Sequence, residues 1–77
     1  MKITIYTTRY CGFCTLAKDL LKSKNLRFKE IDVTEVEKKR KAMTEYGWNT
    51  VPIVLIDGKL LGGFSELADK VSGVESN

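Results

Sequence analysis

The chain has 77 residues, of which 43% are hydrophobic and 30% charged, a composition typical of one small globular domain. The formal net charge of +3 is small, and the basic run at 38–41 has acidic neighbours and no interleaved aromatics, which favours a solvated helix face over nucleic acid binding. No apolar run approaches the roughly 20 residues that span a bilayer, and no signal peptide pattern is present. We therefore expect a single domain over 1–77 in the cytoplasm, with neither a membrane nor a nucleic acid as partner.

The first part of the chain predicts a strand, a helix and a second strand. Residues 2–7 alternate, with Ile3 and Ile5 on one face. Apolar residues then recur at helical spacing from Phe13 onward, and Asn25 can end this helix. A second strand is predicted over 26–33. Its alternation slips between Phe28 and Ile31, as in a strand that is covered on both faces or carries a bulge.

The next segment predicts a second helix. Thr34 and Glu37 fit a capping box at its start. The helix runs to about Tyr46, and Gly47 can take the left-handed conformation that closes it. We expect Tyr46 and Trp48 to pack at this helix end without a functional role.

The remaining segments predict a hairpin and a last helix. Pro52 begins a strand over 53–56, Asp57-Gly58 is a two-residue hairpin signal, and 59–61 return as a fourth strand. Ser65 can cap a short helix that ends at Val71, with a frayed tail over 72–77. The order is β-α-β-α-β-β-α, and a right-handed crossover makes the first two strands parallel. The fold class is therefore α/β, with helices on both faces of a four-stranded mixed sheet.

The motif Cys11-Gly12-Phe13-Cys14 lies at the first strand-to-helix turn. There the unpaired N–H groups and the dipole of the helix stabilise a thiolate, so the spacing favours thiol–disulfide exchange. A fixed disulfide would close a loop of only four residues and contribute about 2 kcal/mol. A zinc site needs four ligands, whereas the chain has two cysteines and no histidine, so carboxylates or a second chain would have to complete it.

The order of elements and the cysteine pair resemble the thioredoxin fold, and three motifs are similar to those of dithiol glutaredoxins. The first is Ile5-Tyr6-Thr7 leading to the cysteine motif, the second is Thr50-Val51-Pro52, and the third is Gly62-Gly63-Phe64-Ser65-Glu66-Leu67. The resemblance covers nearly the whole chain. It implies a thioredoxin-like fold and an enzyme that uses glutathione to reduce protein disulfides and glutathione mixed disulfides.

The same resemblance implies the roles of individual residues. Cys11 is the nucleophile and Cys14 the resolving thiol. The backbone of Val51, held by a cis-Pro52, pairs with the cysteinyl part of glutathione. The remaining candidate glutathione-binding residues are Arg9, Phe13, Lys39, Thr50, Gly63, Phe64 and Ser65. Of these, the three at the last helix N-terminus would hold the γ-glutamyl carboxylate, since such a terminus is a ready anion site.

No tightly bound cofactor is required, because glutathione is the reductant. The expected partners are glutathione and disulfide-bearing or glutathionylated proteins, ribonucleotide reductase among them, and the expected state is a monomer.

Two alternative functions remain open. One is a redoxin-type electron donor reduced by thioredoxin reductase, against which the Gly62-Gly63 and Ser65 elements argue. The other is a [2Fe–2S] carrier, because Gly12 stands where many members have proline. Two chains would then share a cluster through Cys11 and two glutathiones.

Overall fold

The computed structural model describes residues 1–73. The elements follow the predicted order, and their bounds are β1 Ile3–Thr7, α1 Gly12–Ser23, β2 Lys29–Asp32, α2 Val36–Tyr46, β3 Ile53–Ile56, β4 Lys59–Gly62 and α3 Phe64–Val71. The strands form one sheet in the order β2-β1-β3-β4. β1 and β2 are parallel, and the other two pairs are antiparallel. The predicted four-stranded mixed sheet is confirmed.

Helices pack against both faces of the sheet, with α1 and α3 on one face and α2 on the other. On one face Ile3 and Ile5 of β1 join Ala17 and Leu21 of α1 and Leu67 of α3. The other face carries a second cluster that joins β3 to α2, formed by Val33, Ala42, Ile53 and Leu55, with Met43, Tyr46 and Trp48 at its margin. Because side chains alternate along a strand, β1 contributes to both clusters, with Ile3 and Ile5 on one face and Tyr6 on the other. The prediction of helices on both faces is confirmed.

The prediction for the second strand was too long. β2 covers only Lys29–Asp32 and is an edge strand without a register shift against β1. The residues before it close α1 instead, since Leu26 donates its N–H to the carbonyl oxygen of Leu21 at 3.0 Å. Leu26 and Phe28 pack against the core from this connection. The slip in alternation therefore marks the boundary of the strand, whereas the register shift lies between β3 and β4, next to Val54.

Two of the predicted helix caps were wrong. The N-cap of α2 is Glu35, which makes no side-chain capping bond. The Thr34 hydroxyl instead accepts the backbone N–H of Arg9 at 3.0 Å, and Glu37 pairs with Arg40. The N-cap of α3 is Gly63, and Ser65 lies exposed inside the helix.

The predicted turns agree with the structure. Gly47 has a φ of 63° at the end of α2, and Asp57 and Gly58 have φ values of 51° and 83°, which is the pair of positive φ values that a type I′ hairpin needs. Ser72 and Gly73 form a turn after α3, and the rest of the predicted tail, 74–77, lies outside the described residues. Within residues 1–73, none of the helices has the length and hydropathy of a membrane span.

Candidate active site

The cysteine pair lies at the N-terminus of α1. Cys11 is the N-cap with extended backbone, and its sulfur accepts the N–H of Cys14 at 3.2 Å. The Cys11 thiol also donates to the carbonyl oxygen of Val51 at 3.5 Å. Both cysteines are free thiols. Cys11 is half-buried, whereas Cys14 is only 1% exposed. A substrate sulfur can therefore reach Cys11 but not Cys14, which gives the two residues unequal chemical access.

The environment of Cys14 favours its neutral thiol. Burial raises the pKa of the Cys14 thiol to about 12, and the hydrogen bond and charge interaction with Cys11 act in the same direction. A hydrogen bond with the Thr8 backbone and the positive charge of Lys18 oppose this rise. The thiolate is the form that attacks a disulfide. Cys14 therefore stays a neutral thiol at first and acts as a nucleophile only after a step at Cys11.

A groove of about 300 Å³ lies next to Cys11, because one of its lining residues is Val51, whose carbonyl oxygen is 3.5 Å from the Cys11 sulfur. It separates the connection before β3 from the N-terminus of α3, and its lining residues are Phe13, Trp48, Thr50, Val51, Pro52, Gly63, Phe64, Ser65 and Glu66. The Val51–Pro52 peptide bond is cis, as the resemblance implied. The rings of Phe13 and Phe64, with centroids 5.9 Å apart, connect α1 to α3 at one side. The structure thus brings seven of the nine candidate glutathione-binding residues into one concave site.

The far end of the groove is the N-terminus of α3. The first helical bond runs from the Leu67 N–H to the Gly63 carbonyl oxygen, so the N–H groups of Phe64 and Ser65 precede the helical ladder and can bind an anion. The N–H of Gly63 is already occupied, because it donates to Glu66 Oε1 at 2.8 Å. A carboxylate bound at this helix end would therefore lie close to the negatively charged side chain of Glu66.

The two remaining candidates lie elsewhere. Arg9 lines a separate polar groove with Asp32, Thr34, Glu35 and Lys38. Its side chain is 73% exposed, and its Nε lies 3.7 Å from Asp32 Oδ2. Lys39 is half-buried on α2 and lines neither of these two grooves. A glutathione glycyl carboxylate would have to extend out of the main groove to meet either cation.

The sequence assigns no role to two residues of the groove, Trp48 and Glu66. Trp48 lines the groove, and its indole nitrogen is buried without a partner among the described residues. That nitrogen lies 3.4 Å from where a Cβ on Gly63 would be, so the start of α3 packs directly beside the indole. Glu66 holds the helix start, as described above. Its position three residues after the N-cap was the signal for this role.

Among residues 1–73, no group of three or more histidine, cysteine, aspartate and glutamate side chains could hold a metal ion. The site is therefore built from two thiols of different access, one of them beside a concave groove that ends in free helix N–H groups. Thiol–disulfide exchange needs an accessible attacking sulfur, a second sulfur in reach and a surface that orients the substrate. All three are present.

Comparisons with known proteins agree with this chemistry. The family model for glutaredoxin matches residues 3–61. The chain is 37% identical over 65 residues to an uncharacterised glutaredoxin-like 8.6 kDa protein in the rubredoxin operon of Clostridium pasteurianum, covering 83% of this chain and 87% of that one.

Solved structures with the thioredoxin-like fold superpose closely. For glutaredoxin 1 from Francisella tularensis complexed with cacodylate, the TM-score is 0.81 at 32% identity, covering 92% of this chain and 95% of that one. For the buckwheat glutaredoxin–glutathione complex, the TM-score is 0.79 at 27% identity, with 91% and 67% covered. The free thiols at the start of α1, the groove beside them and the match over 3–61 place the chain in the glutaredoxin family of thiol–disulfide oxidoreductases.

Proposed function

We propose that this protein uses glutathione to reduce protein disulfides and glutathione mixed disulfides. The observation that carries the proposal is the position of the Cys11 sulfur, 3.5 Å from the Val51 carbonyl oxygen at the edge of the groove. The buckwheat glutaredoxin, similar over 91% of this chain, was solved with glutathione. A tripeptide with a central cysteine and a carboxylate at each end suits a groove that has a sulfur beside it and free N–H groups at one end.

The first step is attack by Cys11. Its thiolate, stabilised by the Cys14 N–H and the start of α1, attacks the glutathione sulfur of a mixed disulfide. The bond between Cys11 and glutathione forms, the bond to the target sulfur breaks, and the target leaves as a thiolate that takes up a proton. Once Cys11 has lost its own proton, the Val51 carbonyl oxygen loses its donor. That oxygen is then free to accept the cysteinyl N–H of the bound glutathione.

Orientation comes from the opposite end of the groove. The N–H groups of Phe64 and Ser65 bind the γ-glutamyl carboxylate, and the backbone at Val51 holds the middle of the tripeptide. These contacts fix the disulfide in line with the attacking sulfur, which lowers the entropic part of the barrier. A second glutathione then attacks the sulfur of the bound glutathione, so that glutathione disulfide forms and Cys11 leaves as a thiolate. Alternatively, Cys14 attacks the Cys11 sulfur, the Cys11–Cys14 disulfide forms, and the bound glutathione leaves as a thiolate.

Protein substrates meet the exposed side chains around Cys11. Tyr10 is 92% exposed and Phe13 60%, and both lie within two residues of the nucleophile. Aromatic side chains are enriched at protein interfaces, which supports disulfide-bearing or glutathionylated proteins as substrates. Ribonucleotide reductase and the cytoplasmic location stay predictions of the sequence.

The test is a glutathione-dependent assay with hydroxyethyl disulfide, coupled to glutathione reductase, on wild type and two variants. We expect Cys11→Ser to abolish turnover, because it removes the nucleophile. Cys14→Ser should retain turnover on this small mixed disulfide and lose most activity on a protein dithiol substrate. Equal loss of mixed-disulfide turnover in both variants would contradict the assigned roles.

The [2Fe–2S] carrier also stays a prediction. The donor set permits it, since Cys11 offers one accessible thiolate per chain, and a second chain and two glutathiones would supply three more sulfurs. A Cβ on Gly12 would meet no atom within 4 Å, so the packing of this chain does not itself require glycine there. Anaerobic reconstitution with iron, sulfide and glutathione tests the idea. A colourless monomer, or a cluster that survives Cys11→Ser, would refute it.

A further inference from the structure

A polar network of Thr7, Lys18 and Glu30 connects β1, α1 and β2. Lys18 Nζ lies 3.0 Å from Glu30 Oε2, and the same oxygen accepts the hydroxyl of Thr7 at 2.7 Å. Thr7 is only 2% exposed. The hydrogen bond from Thr7 and then that from Lys18 lower the pKa of Glu30, so the carboxylate is charged at neutral pH. The ammonium of Lys18 is thereby held at a defined place on the molecule.

This place is beside the resolving thiol. Cys14 and Lys18 are four residues apart on α1, so their side chains lie on one face with about 5–6 Å between Cβ atoms. The residue after Thr7 is Thr8, whose backbone forms a hydrogen bond with the Cys14 sulfur. The network therefore adjoins Cys14 through Lys18, and its other end, Thr7, is the chain neighbour of Thr8. The other charges are Cys11, which faces Cys14, and Glu30 and Asp19, which face Lys18.

We propose that the Lys18 ammonium stabilises the thiolate of Cys14 when this residue closes the active-site disulfide. In that step the Cys14 thiol gives its proton to solvent and its sulfur attacks the Cys11 sulfur of a mixed disulfide. The Cys11–Cys14 bond forms as the bond from Cys11 to the substrate sulfur breaks, and the leaving thiolate takes up a proton. One disulfide replaces another, so no further oxidant is needed. The proposal rests on thiol–disulfide exchange and not on glutathione.

The need for such a charge follows from the burial of Cys14. A thiol that is 1% exposed cannot be stabilised as a thiolate by water. The Lys18 ammonium lowers the pKa of Cys14 against the larger effect of burial, and Lys18 stays protonated because its bond to Glu30 raises its own pKa. Attack by Cys11 does not need the charge of Lys18, because the N-terminus of α1 already stabilises the Cys11 thiolate. Lys18 should therefore affect ring closure only.

The size of the effect can be worked out. Removal of the charge raises the Cys14 pKa, and we take a fall of about tenfold in the thiolate fraction as the scale of the loss. A thiolate of higher pKa is more nucleophilic, and a Brønsted coefficient of about 0.4–0.5 restores about threefold. Ring closure should therefore slow by about threefold at neutral pH. The loss should shrink in high salt, because the Lys18 side chain is 29% exposed and its charge can be screened.

The experiment uses dithiobis-nitrobenzoate with the reduced protein under stopped flow. Cys11 attacks first and releases one thionitrobenzoate, and Cys14 then closes the ring and releases the second. The variants are Lys18→Met, which removes the charge, Lys18→Arg, which keeps it, and Glu30→Gln, which breaks the ion pair but keeps the ammonium. Lys22→Met is the matched control, since Lys22 lies on the same helix about 12 Å from Cys14.

We expect Lys18→Met to slow the second release about threefold between pH 7 and 9 without slowing the first. Lys18→Arg and Lys22→Met should behave as wild type, and high salt should narrow the gap. Glu30→Gln should not slow the second release, because it removes a negative charge and leaves the positive one. Unchanged ring closure in Lys18→Met would overturn the proposal. Equal slowing in Glu30→Gln would also overturn it, because the ion pair would then act only by supporting the structure.

Discussion

Replacing Gly62 by alanine should destabilise the fold and disturb the groove at the same time. Gly62 has a φ of 140°, and an added Cβ would lie 2.6 Å from Cγ and 2.9 Å from Cβ of Glu66. These atoms belong to the stem of the side chain whose carboxylate accepts the Gly63 N–H. The stem cannot move without loss of the hydrogen bond from the Gly63 N–H, so the substitution also disturbs the start of α3.

Three costs add up. The left-handed backbone costs an alanine about 1–3 kcal/mol, the overlap with Glu66 about 1–3 kcal/mol, and loss of the bond to the Gly63 N–H about 1 kcal/mol. We therefore expect the free energy of unfolding to fall by about 3–5 kcal/mol, with allowance for partial relaxation. Gly58 is the matched control, because its φ is 83° but a Cβ would meet nothing within 4 Å. Gly58→Ala should cost only about 1–2 kcal/mol.

Guanidinium unfolding followed by far-ultraviolet circular dichroism measures both values, provided that the slopes agree. A double variant separates the strain from the clash. In a Glu66→Ala background the Cγ is absent, so Gly62→Ala should cost less than it does in wild type. If Gly62→Ala is no more destabilising than Gly58→Ala, or if Glu66→Ala does not reduce its cost, the account of this helix start is wrong.

Three further predictions concern the thiol, the anion site and the core. Burial raises the pKa of Cys14 from 9.0 to about 12. The reduced protein should therefore lose up to about 1.4 kcal/mol of stability per pH unit from pH 9 towards 12, and Cys14→Ser should lose less in the same range. Glu66→Gln keeps an acceptor for the Gly63 N–H and removes a negative charge, so it should lower KM for glutathione by about two- to fivefold, whereas an unchanged or higher KM would contradict this. Leu67 is fully buried, and Leu67→Ala should cost about 2–5 kcal/mol, a loss below about 1 kcal/mol being the contrary result.

The elements that the sequence predicted well are those whose pattern has a single physical meaning. The apolar residues at helical spacing after Phe13 could be satisfied only by a helix on the sheet, and the Asp57-Gly58 pair suits only a tight turn. Leu26 and Phe28 were misleading because apolar residues can also pack from a connection. Thr34 was misleading because its hydroxyl had a competing donor in the backbone of Arg9, which is distant in sequence.

The groove shows the same limit. The cysteine pair and the Thr50-Val51-Pro52 segment of the groove could be recognised from local motifs. Trp48 could not, since its place depends on the approach of Gly63 from another part of the chain. The charge of Glu66 at the anion site and the approach of Lys18 to Cys14 also depend on tertiary structure. Contacts between elements that are distant in sequence could not be predicted from the local motifs.

The source of electrons tests the central claim most directly. The oxidised protein should be mixed either with glutathione and glutathione reductase or with thioredoxin reductase alone, and the consumption of NADPH followed in each. We expect rapid reduction with glutathione, because the groove beside Cys11 is proposed to bind it, and slow reduction by thioredoxin reductase. Robust reduction by thioredoxin reductase with none by glutathione would contradict the account and assign the protein to the redoxin type.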